Sequence, residues 1–119
     1  MSKGSASRRN ITVAFCERPP EFVRQMATQA LAEFELRIPE DDARPAIESA
    51  VRGADVLIAR KRPVGSRELD CAKPSLVVAL GRNPIAVRLR AARSRGVPVN
   101  AVPHPGAIAV ADHTLGLLL

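Results

Sequence analysis

A chain of 119 residues that is 46% apolar, with three phenylalanines and neither tyrosine nor tryptophan, supports one domain at most. Its core must be built from Val, Leu, Ile and Ala, as in a helix-covered parallel sheet. The scarcity of aromatics argues against single-stranded nucleic-acid binding, and no apolar run reaches the roughly 18 residues of a membrane span.

The formal net charge of +6 is unevenly spread. Ten basic residues lie between Arg60 and Arg95 against only Glu68 and Asp70, whereas Cys16 to Ala59 is net acidic. Such a balance favours either a small anionic partner or a solvated Arg-rich surface. Cys16 and Cys71 sit in apolar contexts and match no metal-ligand spacing, so both read as free thiols of a reducing compartment. The chain therefore reads as cytoplasmic, with no metal, no membrane and no nucleic acid among its partners. Residues 1–10, MSKGSASRRN, read as a disordered tail.

Taken in order, Ile11–Phe15 (ITVAF) is a buried first strand. From Glu21 to Phe34 the apolar residues recur at helical spacing, with Phe22, Met26 and Ala30 on one face and Val23, Ala27, Leu31 and Phe34 beside it. Pro19 and Pro20 suit the start of that helix. Phe34–Ile38 alternates and reads as a second strand nearer an edge. Asp41 and Asp42 suit the cap of a helix that carries Pro45 in its first turn, presents Ile47, Ala50 and Val51, and ends at Gly53.

Asp55–Ala59 (DVLIA) is a third strand, followed by the basic loop Arg60–Gly65 and a short helix capped by Ser66 and running through Cys71. Leu76–Leu80 (LVVAL) is the fourth strand. The turn Gly81-Arg82-Asn83-Pro84 leads into a helix over Ile85–Arg95, which Gly96 stops. Val97–Asn100 is the fifth strand. A Pro/Gly loop then feeds an apolar helix from about Ala109 to Leu119.

Strand and helix recur about every 20 residues, the rhythm of βαβ units and a parallel sheet. The expected fold is α/β: a flavodoxin-like, doubly wound parallel sheet of about five strands over residues 11–119, ending in a protruding helix. In such sheets ligands bind outside the carboxyl ends of the strands, which selects the loops Cys16–Pro20, Arg60–Gly65, Gly81–Pro84 and Ala101–Ala107. Arg60, Lys61 and Arg62 supply donors for a carboxylate or phosphate. Gly81, Arg82 and Asn83 open a helix, where backbone N–H groups and the dipole favour an anion. His104 has no acid nearby to orient it and reads as a loop residue, and His113 reads as a packing or polar-face residue. The sequence holds no G-x-G-x-x-G and no Walker loop. A receiver domain is excluded: Glu17 is a lone acid, and the third strand ends in Ala59-Arg60.

Four stretches carry a resemblance. Ala54-Asp55-Val56-Leu57-Ile58, the Arg60-Lys61-Arg62 loop, Gly96-Val97-Pro98-Val99 and above all Val110-Ala111-Asp112-His113-Thr114-Leu115 resemble the D-isomer-specific 2-hydroxyacid dehydrogenases. The likeness covers Ile11 to Leu119 and is to that family's N-terminal substrate (catalytic) domain. It implies part of an NAD(P)-dependent oxidoreductase acting on the CH–OH group of a D-2-hydroxy acid, with NAD or NADP as cofactor.

The resemblance further implies that substrate carboxylate meets Gly81, Arg82 and Asn83, that Arg60, Lys61 and Arg62 approach the far end of the substrate, and that Val110 packs against the nicotinamide. Asn83 stands where the family has a second Gly, and Ile85-Ala86-Val87-Arg88 where it has D-N-x-D. The family's dinucleotide fingerprint and its catalytic Arg, Glu and His lie beyond the last helix. No catalytic residue is therefore assigned, and the chain is expected to be truncated and inactive alone. The alternative is a non-catalytic module that binds small anions or self-associates through the C-terminal helix.

Overall fold

Three runs in this chain are short and almost wholly apolar, as a strand covered on both faces requires. In the computed structural model, which describes residues 11–80 and 89–102, these are the three central strands β1 (Thr12–Phe15), β3 (Val56–Ala59) and β4 (Leu76–Leu80), buried at every position. The edges are β2 (Glu35–Arg37) and β5 (Val99–Val102). Between them lie α1 (Glu21–Ala30), α2 (Arg44–Val51), α3 (Ser66–Ala72) and α4 (Leu89–Ser94). The sheet is parallel throughout, in the order β2-β1-β3-β4-β5, and the fold is α/β, consistent with a flavodoxin-like doubly wound domain.

The period-2 alternation of the strands divides the core in two. Val13, Phe15, Val56, Ile58, Leu76, Val78 and Leu80 point to the side where Val23 and Ala27 of α1 and Leu31 just after it pack. Ala14, Cys16, Leu57, Ala59, Val77 and Ala79 point to the other side, against Ile47 and Val51 of α2, Leu69 and Ala72 of α3, and Ala92 of α4. The alanines of this second face leave room for three helices to approach the sheet. The register places Val13 beside Val56 and Phe15 beside Ile58, so the carboxyl ends of β1 and β3 finish side by side.

Several boundaries differ from the sequence reading. Helix α1 stops at Ala30, and Leu31 returns its N–H to the Ala27 carbonyl. The stripe that packs is Val23, Ala27, Leu31, while Phe22 is 56% exposed. Asp41 and Asp42 do not cap α2. The Asp41 carboxylate accepts from the Ala43 N–H at 2.8 Å, Asp42 accepts from the distant Arg18 N–H at 2.7 Å, and the cap position is Ala43. Gly65 rather than Ser66 precedes α3, its N–H donating to Glu68 Oε1 at 2.9 Å.

Strand β5 begins two residues late. The Val97 N–H still donates to Ala92 O at the helix end, and Pro98 has no N–H for a ladder. Gly53 and Gly96 both sit at φ +67°, the left-handed position that a helix C-terminus favours and that Gly adopts without strain. Gly81, Arg82, Asn83 and Val110, like the tail at 1–10 and the helix expected from Ala109, lie outside the described residues.

Candidate functional site

Strand order 2-1-3 makes the β1/β3 boundary the point where the chain's direction of winding reverses, and the loops leaving the two strands diverge to opposite faces of the sheet. The loop after β1 is Cys16-Glu17-Arg18-Pro19-Pro20, and the loop after β3 is Arg60 to Gly65. Cys16 still belongs to the ladder, its N–H donating to Ile58 O at 3.0 Å, and its side chain joins the α2/α3 core. Burial pushes its thiol well above the ordinary range, and the charges of Glu68 and then Glu17 push the same way. Cys16 thus packs in the core as a neutral thiol.

Glu17, the next residue, is only 5% exposed. Its Oε1 accepts from the Lys61 N–H at 2.5 Å and the Arg62 N–H at 2.9 Å, and its Oε2 lies 3.6 Å from Arg60 Nη1. A buried carboxylate is costly unless it is paired and hydrogen-bonded. Here it meets two amides that a turning loop would leave without ladder partners, together with a guanidinium that is itself 19% exposed.

Further bonds tie in the loop after β2. Arg62 Nη1 donates to Asp42 O at 2.6 Å, and Arg18 Nη1 donates to Pro39 O at 2.9 Å. With the Arg18–Asp42 bond, these lace the carboxyl-end loops of β1, β2 and β3 into one rim.

The three predicted basic residues are therefore not equivalent. Arg60 lies against Glu17, and Arg62 leans on a backbone carbonyl. Lys61 is exposed, and its ammonium has no partner among the described residues. Glu17, Arg18 and Asp42 were not predicted as site residues. The signal that finds Glu17 is topological: an acid directly after one buried strand faces a basic tripeptide after the next strand of the sheet.

A groove of about 560 Å³, lined by residues such as Arg37, Glu40 and Ser49, lies beside β2 and α2 and does not include the basic loop. Among the described residues no group of His, Cys, Asp or Glu is placed to hold a metal ion, and no helix is long and apolar enough to cross a membrane. Both histidines lie outside the described residues. Neither a family model nor a curated protein matches the chain.

Proposed function

We propose that this chain is the substrate-side domain of an NAD(P)-dependent oxidoreductase acting on a D-2-hydroxy acid or its 2-oxo counterpart. The observation that carries the reading is an exposed lysine, without a partner among the described residues, at the carboxyl end of β3, on the winding-reversal boundary of a parallel sheet in the order 2-1-3-4-5. That boundary is where open α/β sheets bind ligands, and an ammonium there suits a small carboxylate. The sequence resemblance supplies the reaction class, and with it Gly81, Arg82 and Asn83 as further substrate contacts and Val110 as the residue facing the nicotinamide.

The described residues do not fit a dinucleotide. The turn after β1, where a phosphate cradle needs glycines and free amides, holds a buried carboxylate and two prolines. The sequence also lacks G-x-G-x-x-G. In this reading the chain binds and orients the acid, and residues elsewhere hold the cofactor that takes the hydride.

A titration of ¹⁵N-labelled chain with glyoxylate, lactate and acetate tests this. The expected result is a response centred on the Lys61 and Arg62 amides, stronger for the 2-oxo and 2-hydroxy acids than for acetate, with no NADH oxidation by the chain alone. Turnover by the isolated chain, or a response scattered away from this loop, overturns the reading. An equal response to all three acids favours the second reading, a small-anion module, which the exposed Lys61 also suits.

A further inference from the structure

We propose that Glu17 is the positioning residue of the anion site: it fixes the backbone of the Arg60–Arg62 loop and cancels the charge of Arg60, so that the loop offers its ligand the cations of Lys61 and Arg62. The inference rests on the anion-site reading above and adds how that site is held and which charge it selects.

The geometry is specific. One carboxylate oxygen takes both loop amides, Lys61 N at 2.5 Å and Arg62 N at 2.9 Å, while the other faces Arg60 Nη1 at 3.6 Å. The side chain is 7% exposed, so this carboxylate is not a solvated rim charge and meets little water. Two consecutive amides pointing at one acceptor are what a loop presents to a bound anion. In this chain Glu17 fills that place, so the loop is set in its anion-binding shape before any ligand arrives.

Two consequences follow. A ligand cannot use the two amides without displacing Glu17, and recognition falls to the side chains of Lys61 and Arg62. The guanidinium of Arg60 is also offset by a neighbouring negative charge. With Arg60 offset, the loop carries one effective positive charge fewer than its three basic residues supply, which favours a monocarboxylate over a dianion. Arg62, whose Nη1 is spent on Asp42 O, contributes charge from a fixed position at the rim.

The test uses the full chain with Glu17→Ala and Glu17→Gln, amide hydrogen exchange, and two probes, glyoxylate (one charge) and sulfate (two). In Glu17→Ala the Lys61 and Arg62 amides lose their acceptor, and their exchange accelerates roughly 10- to 100-fold, the scale of a charge-assisted hydrogen bond, while Leu57 and Val78 are unchanged. In Glu17→Gln an acceptor oxygen remains, so exchange at the two amides changes only a few-fold. Arg60 is then no longer cancelled. At a separation of about 6 Å in water one added charge strengthens glyoxylate binding roughly 3-fold and sulfate binding roughly 10-fold, so selectivity moves towards the dianion.

A Glu17 whose charge did not reach the ligand would not move that ratio. Unchanged exchange in Glu17→Ala, or an unchanged sulfate-to-glyoxylate ratio in Glu17→Gln, overturns the proposal. Should Glu17→Ala fail to fold, the ratio in Glu17→Gln decides. If the unsubstituted chain binds neither probe, the anion-site reading fails, and exchange at Lys61 and Arg62 alone then decides whether Glu17 holds the loop.

Discussion

Alanine at Lys61 and alanine at Arg60 should have opposite effects, although both remove one positive charge from the same loop. Lys61 is exposed and has no partner among the described residues, so Lys61→Ala should change stability by no more than about 0.5 kcal/mol. Its loss should fall on ligand binding. A charged hydrogen bond to a carboxylate is worth about 1.5–3 kcal/mol, so glyoxylate affinity should drop roughly 10-fold or more.

Arg60 is largely covered and stands 3.6 Å from a buried carboxylate. The gross attraction at that distance is about 4–5 kcal/mol for an effective dielectric of about 20. Desolvation and side-chain ordering offset most of it, and Glu17 keeps two amide donors, so Arg60→Ala should cost about 1–2 kcal/mol of stability. Urea unfolding followed by circular dichroism gives the stability, and titration with glyoxylate gives the affinity. The reasoning is refuted if Lys61→Ala destabilises as much as Arg60→Ala, or if Lys61→Ala leaves glyoxylate binding intact.

Three further outcomes follow from the same coordinates. Leu57 is fully buried at the centre of the sheet, and Leu57→Ala should cost about 3 kcal/mol and lower Tm by roughly 10 °C in calorimetry. Arg95 donates to Asp70 through Nε at 2.8 Å and Nη2 at 3.2 Å, and this hydrogen bonding, with the charges of Arg95 and Lys73, holds the Asp70 carboxyl below its ordinary 3.8. Because folding lowers that pKa, the contribution is complete above the ordinary value and is lost as pH falls through the folded one. The urea midpoints of the native chain and Asp70→Asn should differ at neutral pH and converge in acid, once the pH has fallen through the lowered value. Cys71 is half-buried and Cys16 is buried with its thiol pushed up, so a thiol reagent should label Cys71 in the folded chain and reach Cys16 only on unfolding; simultaneous labelling of both would contradict the packing.

The sheet was legible in the sequence because a strand covered on both faces has to be short and apolar, and VLIA and LVVAL meet that demand with no competing helical period. The helix ends were legible where glycine at positive φ marks them, at Gly53 and Gly96. Caps were not. Asp42 has the right chemistry to cap α2, but its carboxylate is claimed by the Arg18 amide 24 residues away, and a long-range bond outcompetes the local one.

Strand β5 was misplaced for a related reason: Val97 is apolar enough for a strand, but its N–H is already committed to the helix before it. Glu17 was the least visible residue. Its partners are backbone amides, which carry no residue identity, so only the adjacency of β1 and β3 reveals what the acid does.

That adjacency also bears on which anion the rim suits. A phosphate site at this position in a doubly wound sheet relies on a glycine-rich turn after β1, whose free amides wrap several oxygens at once. Here that turn has Pro19 and Pro20, one of them at the cap of α1, and it contributes a carboxylate instead. The two consecutive amides at the end of the neighbouring strand are occupied by that same carboxylate. What is left is a side-chain cation on a loop fixed from beneath. An ammonium recognises charge with little demand on geometry, whereas a ring of amides demands a tetrahedral dianion. The turn after β1 thus weighs against a nucleotide phosphate at this rim, and Lys61, without a partner among the described residues, favours the small carboxylic acid on which the proposed function depends.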